Sequence, residues 1–215
     1  MPALLTLLLA TPLFGLSLRA PDVSPVLAPE TFAAESASRT LDEEAARADA
    51  DTRTIMEWTR ALHLGAAVTL GGATVLGGIQ FGDEYGFHGG RAETACANNS
   101  AVLNDCGGET PWPHALLGGT AAVLGIGALL ASTQVDFDRA SRIDSDWRIY
   151  EVTRWAALAL FLLQGAIGFI GANAVDLGWA HPDRHFTTLQ SLATAHLVLG
   201  GALTVLEAVN TALLF

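Results

Sequence analysis

The sequence predicts an all-α membrane protein: a transmembrane four-helix bundle with a parallel two-helix repeat, preceded by an N-terminal signal or anchor segment and a polar acidic leader. Three observations carry that prediction. Hydrophobic residues make up 51% of the 215 and charged residues only 15%, with a mean hydropathy of +0.38, whereas a soluble domain carries about 25% charged residues. The apolar residues gather in four stretches, 55–80, 112–134, 152–175 and 187–214, each long enough for the ~20 residues with which a helix crosses ~30 Å of hydrocarbon. Gly and Ala are frequent within them, as in membrane helices whose backbones approach closely.

Residues 1–20 hold a shorter apolar run, 2–18, interrupted by Pro12 and followed by Arg19. It reads as a secretory signal peptide or as a retained anchor; no positive n-region precedes it, and Pro21 and Pro29 disfavour cleavage after Ala20 or Ala28. Residues 21–54 are an acidic leader, first rich in Pro and then in Ala and carboxylates. It is expected to be solvated and partly helical, or to serve as a docking arm. The bundle itself occupies 55–215.

Eleven Arg and no Lys stand against 22 Asp and Glu, a formal charge of −11. This excludes a basic nucleic-acid footprint. It also opposes electrostatic adhesion to anionic lipid. The Arg residues favour one orientation. Arg139, Arg142 and Arg148 lie in the loop 135–151, and Arg39, Arg47 and Arg53 in the leader, whereas 81–111 and 176–186 hold one Arg each. The leader and middle loop are therefore expected on the cytoplasmic side of a bacterial-type inner membrane. A cleaved signal peptide would conflict with that orientation, and a retained anchor would not. Cys96 and Cys106, the only two cysteines, share the loop 81–111, and a disulfide there fits an oxidising outer compartment.

The chain also aligns on itself. Glu57-Trp-Thr-Arg60 matches Glu151-Val-Thr-Arg154 at an offset of 94, which also pairs Gly71 with Gly165 and Gly77 with Gly171. His114-Ala-Leu-Leu-Gly118-Gly119 matches His196-Leu-Val-Leu-Gly200-Gly201 at an offset of 82. The first two spans thus read as a copy of the last two. A parallel repeat puts equivalent residues at equal depth on facing helices.

Three of the six histidines, His88, His181 and His185, fall in polar loops and are expected in solvent. His63, His114 and His196 fall within the apolar spans, where an ionisable side chain is a functional candidate. His114 and His196 hold equivalent repeat positions. Two neutral imidazoles opposed inside a helical bundle are the axial donors that a low-spin haem iron takes. Gly118, Gly119, Gly200 and Gly201 lie about one turn on and would leave room for a ring edge. His63 has Ala157 as its offset-94 counterpart and no partner of its kind. It reads as a relic, a proton carrier or a five-coordinate ligand. Arg60 and Arg154 are expected to pair with Glu57 and Glu151 at i,i+3, or to bind an anionic group. Glu207, inside the last span, reads as a proton relay or as facing a watery crevice.

With these residues in place, the stretch 55–215 resembles the cytochrome b561-like membrane b-type cytochromes. The resemblance rests on His63, His114 and His196, the glycines after them and the repeat. It implies haem b held by two histidines and electron transfer across or within the membrane. Some members carry two haems. Ala157 departs from that pattern, so one haem, on His114 and His196, is expected, and the second is open. The expected partners are the lipid membrane, a quinone and a redox protein or larger membrane complex. The alternatives are a quinone-coupled thiol–disulfide oxidoreductase, which would use Cys96 and Cys106, and a cofactor-free structural subunit.

Overall fold

The computed structural model describes residues 30–87, 89–103, 106, 112–181 and 184–215, with the backbone alone over 30–38. The signal or anchor expected at 1–20, the Pro-rich start of the leader and His88 lie outside the described residues. The chain divides into two compact units, 1–43 and 44–215. Of the first, the described residues 30–43 are helical. All that follows concerns the second.

Five α-helices make up the described structure: α1 (Glu30–Glu84), α2 (Trp112–Ser132), α3 (Phe137–Ile143), α4 (Trp147–Asn173) and α5 (Phe186–Leu214). There are no strands among the described residues. Four of the five, all but α3, are long and apolar enough to cross a membrane, the make-up of a multi-pass membrane protein. The apolar span of α1 has no break before it: the helix already runs through the acidic leader, because residues 30–54 hold no Pro or Gly to stop it. α4 likewise starts earlier than residue 152, at Trp147, behind Asp146 at its N-cap.

Val68, Val75, Val123, Leu130, Leu162, Phe169, Val198 and Val205 are between 62% and 67% exposed. So much apolar surface suits contact with lipid rather than water. Trp112 and Trp179 are exposed near one end of the bundle, and Trp58 and Trp155 near the other, as in the aromatic belts of membrane interfaces. The first end carries the Cys96–Cys106 loop and is called the disulfide end here. The second carries α3 and is called the α3 end.

Small residues set the neighbours. Leu124 and Leu117 of α2 lie on Gly65 and Gly72 of α1, and Phe161 of α4 fills the space a side chain would take at Gly125 of α2. α4 packs closely along α5, and Thr74 of α1 meets Thr204 of α5 at 2.7 Å. The order around the bundle is thus α1, α2, α4, α5. α1 stands diagonal to α4, and α2 diagonal to α5.

Each end is closed differently. At the disulfide end the buried Asp83 accepts the backbone N–H groups of Val102 and Leu103, both at 2.9 Å, and its carbonyl accepts Cys96 N–H at 2.9 Å. Cys96 and Cys106 are disulfide-bonded, with Cα atoms 5.4 Å apart. At the α3 end the middle loop forms α3, whose N-cap Asp136 accepts the N–H of Arg139. A core of Met56, Val135, Ala140, Trp147, Tyr150 and Leu214 seals that end.

Candidate functional site

Two polar centres lie inside this bundle, at different depths. The first is at the disulfide end, where α2 and α5 begin. His114 and His196 face each other across the α2–α5 diagonal, ring centroids 6.2 Å apart with planes at 75°. Metal–imidazole bonds are about 2 Å long, so two imidazoles sharing one metal have centroids roughly 6 Å apart.

Each ring is seated in the neighbouring helix. His114 donates through Nδ1 to the carbonyl of Ala73 at 2.8 Å. Its Cε1 lies 2.8 Å from where a Cβ on Gly77 would be. His196 repeats the arrangement on α4: a Cβ on Gly168 would come within 2.6 Å of its Cε1. Its Nδ1 is buried without a hydrogen-bond partner. Only glycine leaves room for a ring so close to a helix backbone. The two glycine seats stand at an offset of 91 residues. The sequence alignment at 94 instead pairs Gly77 with Gly171. The difference is nearly one helical turn, and Gly168 was missed for that reason.

The glycines expected beside the histidines stand otherwise. Gly118, Gly119 and Gly201 have nothing within 4 Å of an added Cβ, whereas Gly200 is buried against the Gln164 amide. That amide also approaches His196 Nε2 at 3.3 Å, and Gln164 Oε1 is buried without a partner.

A main-chain acceptor on Nδ1 fixes the tautomer and leaves Nε2 of His114 with its lone pair. His196 Nδ1 and Gln164 Oε1 are buried without a hydrogen-bond partner. Among the described residues no three His, Cys, Asp or Glu side chains converge to hold a metal ion, so the two imidazoles could serve only a metal that brings its other ligands with it.

The second centre lies toward the α3 end. His63, fourteen residues before Gly77 on α1, is about 21 Å from it along the helix. Its Nδ1 is 2.7 Å from Glu207 Oε2 of α5, and its Nε2 is 2.7 Å from the Tyr150 hydroxyl of α4. All three side chains are fully buried. With both ring nitrogens engaged, His63 offers no free donor to a cofactor. Glu207 faces His63 and not a watery crevice. Beside Tyr150, Arg154 donates to the carbonyl and hydroxyl of Ser132, each at 3.0 Å, and stacks over Phe137 at 4.3 Å. Arg60 reaches Asp144 at 3.1 Å. Neither Arg makes its described bonds to the glutamate three residues before it.

Between the centres lies an apolar layer of Leu70, Ala121, Phe161 and Leu203. His181 and His185 remain outside the bundle, where His185 Nδ1 accepts the N–H of His181 at 2.8 Å.

The Tyr150 contact was not legible in the sequence. Tyr150 precedes the apolar stretch from 152 and sits in what reads as a loop. Comparison with protein-family models, with curated proteins and with solved structures gives no match to this chain.

Proposed function

We propose that the protein is a membrane b-type cytochrome that carries electrons through one haem b held by His114 and His196. The observation that carries this reading is the opposed pair of imidazoles, 6.2 Å between centroids, each seated on a glycine of the neighbouring helix. Haem b, when bound, would supply one-electron exchange between ferrous and ferric iron.

The chain's own residues do the rest. Ala73 holds His114 by Nδ1 so that Nε2 faces the bundle axis. The Gln164 amide, 3.3 Å from His196 Nε2, would turn away to free that donor. His114 and His196 would both hold the iron, which favours electron transfer over oxygen binding. The apolar layer of Leu70, Ala121, Phe161 and Leu203 excludes water on the side toward the α3 end. His63 lies outside this set, since both its nitrogens are engaged.

The reading extends to a setting. The Arg-poor, disulfide-bonded end faces the periplasm of a bacterial-type inner membrane, and the Arg-rich α3 end faces the cytoplasm. The partners are a quinol pool and a periplasmic electron carrier. Purified protein should show a reduced-minus-oxidised haem b spectrum with one haem per chain by pyridine haemochrome. His114→Ala and His196→Ala should each remove it, whereas His63→Gln should retain it. A colourless preparation from haem-replete cells would end the proposal and leave a structural subunit.

A further inference from the structure

The His63–Glu207–Tyr150 centre is not used by the electron-carrier reading. At 2.7 Å the Tyr150 hydroxyl and His63 Nε2 share one proton. At 2.7 Å another lies between His63 Nδ1 and Glu207 Oε2.

That proton can sit on the imidazole or on the carboxyl. On the carboxyl it leaves Glu207 neutral. Its loss leaves a buried carboxylate whose other oxygen, Oε1, has no partner, an expensive arrangement away from water. We infer that His63 and Glu207 form a proton-binding site inside the membrane, reached from the α3 end through Tyr150.

The surroundings support one-sided access. From α4 come Tyr150 and the half-buried Arg154; from α1 comes Arg60, paired with Asp144, the two 27% and 31% exposed. α2 contributes only Ser132. α5 adds Asn210, buried with its Nδ2 unpartnered. In the other direction lie the apolar side chains of Leu70, Ala121, Phe161 and Leu203, and the Thr74 and Thr204 hydroxyls beside them are bonded to each other. Binding takes a proton from water at the α3 end and forms an O–H bond at Glu207 or an N–H bond at His63.

The site does not rest on haem. The test is an infrared pH titration of the purified full chain, following carboxyl and imidazole modes from acid to alkaline pH. Against the solvated carboxyls and imidazoles that parent and variants share, one buried carboxyl–imidazole signal per chain should change with pH. The signal should vanish in Glu207→Gln and in His63→Gln and persist in His114→Ala. Modes that ignore pH in the parent protein, or a signal that survives Glu207→Gln, would overturn the site. Tyr150→Phe should slow deuterium exchange at the same modes, while Thr74→Val should leave it unchanged. Equal exchange rates in Tyr150→Phe and parent would overturn the α3-end route.

Discussion

The two ends of the bundle treat buried histidine in opposite ways. At the disulfide end, His114 and His196 meet ring to ring, tied to the protein mainly by backbone and held against glycines. Toward the α3 end, His63 has a carboxylate on one nitrogen and a phenol on the other. In the proposed reading, the first arrangement keeps a donor for an iron that the protein does not itself supply. The second is internally complete except for one proton. The halves also diverge at matched positions. His63 stands opposite Arg154 at the offset of 91 that relates the glycine seats, and Glu207 stands opposite Gly125 at the offset of 82 that relates the histidines. Phe161 occupies the room that Gly125 leaves. A duplicated bundle can thus preserve one site at one depth and build an unrelated one at another, because an apolar layer separates them.

The largest effect expected of a single change is at the complete site. Glu207→Leu strands His63 between an apolar side chain and Tyr150. It should lower stability by about 3–5 kcal/mol, as breaking a buried pair does. The double variant His63→Leu with Glu207→Leu should recover most of that loss. Reversible unfolding in detergent measures both. If the double variant is no better than the single one, the pair does not act as a unit.

A smaller effect, and a sharper contrast, is expected from Gly168→Val. The added side chain must displace the His196 ring, at a cost of about 1–3 kcal/mol for overpacking. Helicity by circular dichroism should be kept while the haem content of the purified protein falls. Gly119→Ala, at an exposed position with nothing within 4 Å, should change neither, so the two variants separate a seat for a ring from a generic helix contact. Parent-like haem content in Gly168→Val would mean that the seat does not position the ring.

The smallest effect belongs to the margin of the α3 end. Arg60 and Asp144 are partly solvated, and such pairs contribute only about 0.2–1 kcal/mol. Arg60→Ala should therefore cost at most a few tenths to one kcal/mol, less at high salt. A loss comparable to that of Glu207→Leu would show that Arg60 belongs to the buried centre and not to its edge.

Local chemistry alone determined the architecture. Four apolar runs of membrane length, interrupted by charged loops, leave little choice but four spanning helices, because each backbone polar group in hydrocarbon must be bonded within its own segment. The duplication, the facing of His114 and His196 and the cysteine pair were also open to reading from spacing. The continuity of α1 through the acidic leader was obscured by the change in composition near residue 55, although nothing there breaks a helix. Tertiary structure decided the rest. Which glycine seats a ring depends on how far one helix slides along its neighbour, and a slip of nearly one turn replaced Gly171 with Gly168. The partners of His63 depended on the rotation of three helices about their own axes. No single-chain periodicity records that rotation, because small residues let these helices pack at close range in more than one register.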